Sequence, residues 1–452
     1  MSTPIFEKLK GYHAQNRISF AMPGHKNGCG LNKALLECDV TELRKTVDLH
    51  GKSDEVSKSC EKLSRLYGSE KSYIVTCGST TCIQAMLAGS LNRGDTVLAG
   101  ADCHMSVINT CALCGFNIRF IPKSIDSEFL IPKRLFPIED MLKKYADIKA
   151  VLITSPTYYG ICEDIEKLSE ICHRYNVPLL VDEAHGAHFI ADESLPQSAV
   201  KSGADAVCQS AHKTLNALTG AAFLHLSGKL LDYSRIENAL YMFESSSPSY
   251  VIAASAELSI NDLGGWDDAV KECKSFTHEI LKNTHIKVLK NDDITRLVLN
   301  FSAYGVYGAQ IEDILCEKYG IDIEMSDRDN IVLIVTASNT RDDLKKLYDA
   351  LCEITKDLPI KNKTTTICEP PAISGIVKPH EAFGADTIEI DVKDSAGYVC
   401  AVNVCAYPPG IPTMAMGAEI THEQIEYIEY LLSINATVKG INDRKIRVIN
   451  KL

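Results

Sequence analysis

The sequence predicts an α/β fold built on a mostly parallel sheet, and three observations carry that prediction. From about Lys71 to His225, short β-branched runs alternate with helix-length segments, the order that produces strand–helix–strand crossovers and a sheet covered on both faces. The residues able to do chemistry stand just past the strands, where ligands of such sheets bind. The composition is that of an ordinary globular chain: 452 residues, 45% hydrophobic and 23% charged, with 27 Gly and 16 Pro, which excludes collagen-like and wholly disordered classes.

The alternation opens with a strand at residues 73–76. It passes through Cys77-Gly78-Ser79-Thr80-Thr81 into a helix whose apolar positions Ile83, Leu87 and Leu91 keep helical spacing. Strands are expected next at 96–99, 118–121, 150–154, 177–181, 206–209 and 221–226, giving seven, with residues 165–175 among the helices between them. A second unit begins near Asp292. It has strands at 297–301, 321–324 and 331–335, one helical stripe of Ile311, Ile314, Leu315 and Tyr319, and another of Leu344, Leu347, Tyr348 and Leu351. Residues 356–366 are polar and basic and suit an exposed link. A final helix starts at Thr421, where Thr421-x-x-Gln424 has capping-box form, and is expected to bury Ile425, Ile428 and Leu432. The expected division is an N-terminal arm (1–50), a large domain (51–290) and a smaller α+β C-terminal domain (291–452).

Lys plus Arg number 47 and Asp plus Glu 59, a net charge of −12, so broad electrostatic binding of nucleic acid or anionic membrane is not expected. No apolar run approaches the roughly 18 residues of a membrane helix. The N-terminal stretch carries charges where a signal peptide would be apolar, and the expected compartment is the cytoplasm. The 17 cysteines are scattered, mostly in apolar stretches, as small buried hydrophobes of a reducing compartment are. Cys111 and Cys114 form a CxxC without a second pair at zinc-ribbon spacing. Neither metal nor disulfide is assigned.

Four strand-end positions carry the chemistry. Gly78-Ser79-Thr80 opens a helix, so its N–H groups and hydroxyls suit a phosphate, although Ser and Thr are also ordinary caps. His104 lies in Asp102-Cys103-His104-Met105-Ser106. Asp182 ends the apolar run 178–181, where an unpaired carboxylate is costly. Lys213 follows the strand at 206–209 in Gln209-Ser210-Ala211-His212-Lys213-Thr214. Together these suit pyridoxal 5′-phosphate, which needs a lysine for a Schiff base, an acid at its ring nitrogen, a phosphate cradle and a stacking face. Lys213, Asp182, Ser79 with Thr80, and His104 would fill those roles.

At this point the chain resembles the ornithine/lysine/arginine decarboxylases, fold-type I pyridoxal-phosphate enzymes related to aspartate aminotransferase. The likeness runs over nearly the whole length. Its markers include Met22-Pro23-Gly24-His25-Lys26-Asn27-Gly28, Val47-Asp48-Leu49-His50, Ser155-Pro156-Thr157-Tyr158-Tyr159-Gly160, Asp182-Glu183-Ala184-His185-Gly186, Ser246-Ser247-Pro248-Ser249-Tyr250 and Tyr407-Pro408-Pro409-Gly410-Ile411-Pro412. The resemblance implies Lys213 as the Schiff-base lysine, Asp182 as the ring-nitrogen partner and His104 stacked on the ring. It implies Gly78, Ser79, Thr80, Ser210 and His212 at the phosphate, and His185 near the phenolic oxygen. It also implies a homodimer or higher even oligomer with shared active sites, in which Ser246 and Ser247 reach the neighbour's cofactor. The segment with His25 and Lys26 is expected near the active-site entrance, and Trp266 is expected to be a packing residue near the domain junction.

The implied reaction is decarboxylation of arginine, lysine or ornithine to an amine, through a quinonoid state, in polyamine metabolism. Three departures from the family pattern stand out. Met105 replaces a usual Lys, Met416-Gly417-Ala418 replaces Pro-Gly-Glu, and Tyr398 replaces a common Arg. They put the substrate in question. The alternatives are an α-oxoamine synthase or aminotransferase on the same fold, a non-catalytic cofactor-binding relative, and a metal site at Asp182, His185 and His188.

Overall fold

The computed structural model describes residues 11, 14–43, 46–51, 53–135, 138–361, 371, 373, 375–406, 411–433 and 436–450. The seven expected strands form one sheet, in the spatial order Asn117–Ile121, Thr96–Gly100, Ile148–Thr154, Leu179–Asp182, Ala206–Gln209, Ala222–Leu226, Lys71–Val75. An eighth, Ile376–Val377, joins the outer edge beside Asn117–Ile121. The Ala222–Leu226 strand and this edge strand run antiparallel to the other six. Register places Thr154 opposite Asp182 and Asp182 opposite Cys208, so three strands end level with one another.

Alternate residues of each strand enter different cores, as a period of two requires. Leu98, Val151, Leu179, Val181, Val207 and Phe223 pack on one face. Val97, Ala99, Leu152, Leu180, Cys208 and Leu224 pack on the other. Each fully buried aliphatic side chain contributes about 1.5–3 kcal/mol. The helix Gly78–Ser90 lies inside this second core and is apolar nearly all round, with Cys82, Ile83, Ala85, Met86 and Leu87 buried.

Residues 286–358 build a four-stranded antiparallel sheet around Arg296–Asn300 and Asn330–Ile334, covered by helices Gly308–Tyr319 and Arg341–Lys356. Leu297, Leu299, Ile331 and Leu333 join the same core as the large sheet. Ile311 and Leu315 are buried as expected. Ile314 is exposed instead, because it lines a groove with Ile354 and Leu358. Residues 387–449 have a core of their own around Val392, Val404, Ile428 and Ile446. The capping box is present: Gln424 N–H donates to Thr421 Oγ1, and Thr421 N–H to Gln424 Oε1. The expected link begins at the end of the helix Arg341–Lys356, and its residues 362–366 lie outside the described residues, as do Tyr407, Pro408, Pro409 and Gly410. No helix among the described residues is long and apolar enough to cross a membrane.

The N-terminal segment ties the two larger units together. Ile18 and Ser19 pair in parallel with Ile321 and Asp322, and Arg17 Nε donates to Asp322 Oδ2 at 2.8 Å. Gly24 then donates its N–H to the His212 carbonyl at 2.8 Å and accepts from Thr336 Oγ1 at 2.9 Å. A Cβ at residue 24 would stand 2.6 Å from the Leu215 carbonyl oxygen and 2.8 Å from the Thr214 carbonyl carbon. Gly24→Ala is therefore expected to destabilise the chain by about 1–3 kcal/mol, the usual cost of overpacking, read as a lower denaturant midpoint.

Candidate active site

A cavity opens at the ends of these level strands, lined by Ser79, His104, Asp182, His185 and Lys213 together with Asp102, Thr154, Thr157 and Tyr158. Lys213 lies in the single-turn helix Ala211–Thr214 that follows its strand. Its Nζ is 3.1 Å from His185 Nε2. Burial lowers the Lys213 pKa, against the upward pull of Asp182 and Glu324.

Asp182 is 4% exposed. Its Oδ1 accepts the Ala184 N–H at 3.1 Å and the Cys208 thiol at 3.5 Å. Among the described residues it forms no ion pair, an expensive state for a buried carboxylate. Glu183, its neighbour, turns to a different set of donors: Ser198 Oγ, Ala199 N–H and Gln209 Nε2 at 2.6–2.8 Å. Burial still raises the Glu183 pKa to about 7.

Ser79 stands in the first turn of Gly78–Ser90 and accepts from Ser210 Oγ at 2.8 Å. Gly78 has φ +80°, and nothing lies within 4 Å of where a Cβ would be, leaving the helix N-terminus open. Thr80 is exposed. His212 donates from Nδ1 to the Ala221 carbonyl at 2.9 Å, and burial lowers its pKa to about 4. His104 caps the helix Met105–Cys114, accepting the Ser106 N–H on Nδ1, and burial lowers its pKa. Ser79, His104, Asp182, His185 and Lys213 are thus brought to one cavity, while Gly78, Thr80, Ser210 and His212 stand around it.

His188 does not join them. Its Nε2 lies 3.4 Å from Asp293 Oδ1 and 3.2 Å from Thr295 Oγ1, and its ring stacks on buried Trp266 at 4.5 Å. Asp182, His185 and His188 therefore do not converge on one cation. Of the departures, Met416 and Ala418 pack in the core behind the sheet and Tyr398 in the core of 387–449. None lines the cavity.

Lys123, Glu163, Arg296 and Glu324 were not singled out from the sequence, whereas Asp102 stood in a family marker and Lys26 in the segment expected near the active-site entrance. Buried Asp102 pairs with Lys123 Nζ at 2.9 Å, and Lys123 also meets Glu163 at 3.2 Å. Burial opposes that ammonium's charge, yet the two carboxylates hold its pKa above the ordinary value. Arg296 Nη2 donates to His185 Nδ1 at 3.1 Å. Its sequence signal is a charge opening the otherwise apolar run 297–299. Glu324 accepts from the Tyr158 hydroxyl and from Met22 N–H. Lys26 is buried beside this group, its Nζ donating to the Ala21 carbonyl at 2.7 Å.

Burial, only partly offset by Glu324, lowers the Lys26 pKa from 10.5 to about 7. The unfolded chain then binds this proton more tightly than the folded one, so stability rises with pH between about 7 and 10.5. Lys26→Met is expected to flatten that rise, measured as denaturant midpoints across the window.

The family description "Orn/Lys/Arg decarboxylase, major domain" matches residues 3–298, and the corresponding C-terminal domain matches 364–442. The uncharacterized protein YaaO of Bacillus subtilis is 32% identical over 97% of this chain and 96% of its own length. An arginine decarboxylase of the same organism is 28% identical over 99% of this chain and 97% of its own. Among solved structures, the Francisella novicida lysine decarboxylase LdcF superposes with a TM-score of 0.77 at 19% identity, covering 93% of this chain and 75% of that one.

Proposed function

This chain belongs to the Orn/Lys/Arg decarboxylase family, and from that premise we propose that it decarboxylates a basic amino acid, arginine first among the three, using pyridoxal 5′-phosphate. That it is an amino-acid decarboxylase follows from the family; the substrate and the residue roles are the proposal. The single observation that carries it is the buried, unpaired Asp182 carboxylate sharing one cavity with the Lys213 amine. The full-length likeness to an arginine decarboxylase supports the choice of substrate.

The residues present fit the cofactor. Asp182 is a buried carboxylate that forms no ion pair among the described residues, as a partner for a protonated ring nitrogen should be. The open N-terminus at Gly78, with the Ser79 and Ser210 hydroxyls side by side, suits a phosphate; Thr80 and His212 would complete that cradle. When bound, pyridoxal phosphate supplies an electron-poor ring that takes up the electron pair left by departing carbon dioxide.

The chain's own groups do the rest. Lys213, its pKa lowered by burial, offers a larger fraction of neutral, nucleophilic amine than an exposed lysine. His104 offers a ring face, and His185 a hydrogen bond. Lys213 or a neighbouring histidine then returns a proton to the α-carbon. An amine product of this kind places the reaction in polyamine metabolism. Exposed Ser246 and Ser247, next to exposed Tyr241 and Met242, support a dimer in which this loop meets a second copy.

The purified chain with pyridoxal phosphate is expected to show a visible absorption band that borohydride bleaches, and to release carbon dioxide from arginine, or from lysine or ornithine. Lys213→Ala should lose both signals. Asp182→Asn should keep cofactor binding but lose on the order of 10²-fold or more in kcat, as when a charge stabilising the transition state is removed. A band without carbon dioxide from any of the three would refute the basic-amino-acid reading.

A further inference from the structure

Arg296 is buried at 2% exposure, and among the described residues it forms no ion pair. Among the described residues, its Nε and Nη1 have no hydrogen-bond partner. A guanidinium kept so deep without a direct ion pair is a poor stabilising element, since the field of a more distant carboxylate such as Asp293 repays little of its desolvation. The directed contact it does make is with His185, whose other nitrogen faces Lys213. The direction of that contact is fixed by chemistry. A guanidinium has five N–H donors and no acceptor, so His185 Nδ1, 3.1 Å from Arg296 Nη2, must accept and carries no proton. A neutral imidazole then bears its single proton on Nε2, the nitrogen 3.1 Å from Lys213 Nζ.

We propose that Arg296 is a positioning residue that locks His185 in the Nε2–H tautomer, making that nitrogen a permanent donor toward the Lys213 side of the cavity. In the cofactor-free chain, the Nε2–H donates to Lys213 Nζ, which can accept only as the neutral amine. In the loaded chain the same N–H points to the cofactor's phenolic oxygen, a step that rests on the functional reading above; the tautomer itself does not.

The surroundings keep His185 neutral. It is 4% exposed. Arg296 faces it from the strand at 296–300, Lys213 and His212 from the short helix, His188 from its own turn, and the Tyr158 ring edge-on at 4.8 Å. Burial first, with the Arg296 charge adding to it, holds its pKa well below the ordinary value. A doubly protonated ring would turn Nδ1–H against a donor-only guanidinium.

Nitrogen NMR of the full chain labelled at histidine reads the proton directly, without cofactor. His185→Asn identifies the signal. The wild-type ring is expected to show a protonated Nε2 and a bare Nδ1. Arg296→Lys, also a donor-only cation, should preserve that state. Arg296→Gln, whose amide both donates and accepts, should yield a mixture of tautomers. Loaded with pyridoxal phosphate, Arg296→Gln should also raise the pH midpoint of the visible band by about one unit. A bare Nε2 in the wild type overturns the proposal, and so does an unchanged tautomer in Arg296→Gln. If that variant does not fold, the wild-type and Arg296→Lys spectra still decide. A wild-type chain that develops no visible band with pyridoxal phosphate would sink the functional reading instead and leave the tautomer result standing.

Discussion

Two adjacent carboxylates at the end of one central strand, Asp182 and Glu183, set the character of the site. A strand points successive side chains to opposite faces, so the two acids enter different surroundings although both are buried. Glu183 meets a hydroxyl, a backbone N–H and an amide, and it serves the interior. Asp182 meets one backbone N–H and a thiol among the described residues and lines the cavity. The register that sets Thr154, Asp182 and Cys208 level decides which acid faces the cavity. A slip of one residue would exchange them.

Around that carboxylate stand three basic side chains, Lys213 in the cavity with Arg296 and Lys26 just behind, besides the acids Asp102 and Glu324. All are in low-dielectric surroundings where water cannot share their charge, and burial is the leading cause of the lowered lysine pKa values. The opposing carboxylates, Asp182 and Glu324, soften the effect without removing it. Reactivity here is a property of packing as much as of residue identity. An exposed lysine with the same neighbours in sequence would remain a protonated surface group.

Most of the fold was legible because its signals are local. Each strand of the large sheet is a short apolar run of its own, and each reactive side chain sits at the end of a strand or within four residues past it. The eighth strand escaped because two residues, Ile376 and Val377, carry no period. Ile314 was assigned to the core by its spacing alone, since a helical stripe does not reveal where the neighbouring helix stops. The site was half legible. His104, Asp182 and Lys213 announce themselves by position, and the family pattern adds His185. The segment with Lys26 was expected near the entrance, but Arg296 and Glu324 reach it from up to 302 residues away in sequence, as the Met22–Glu324 bond illustrates. Only the fold brings them together. The substitutions at Met416, Ala418 and Tyr398 looked like changes to the substrate pocket, yet they pack in cores that local sequence cannot distinguish from a cavity wall.

The strap through Gly24 has a consequence for synthesis. Chains fold largely from the N-terminus as they emerge, and Asp182, His185 and Lys213 leave the ribosome long before residues 320–336 follow. The strap's partners, Ile321, Asp322 and Thr336, are therefore absent while the large sheet is already able to form. Until they arrive, the segment before Gly24 has nothing to pair with and Arg296 has no neighbouring sheet to hold it. Lys213 and His185 are thus translated well before Arg296 and Glu324, the neighbours that complete their surroundings.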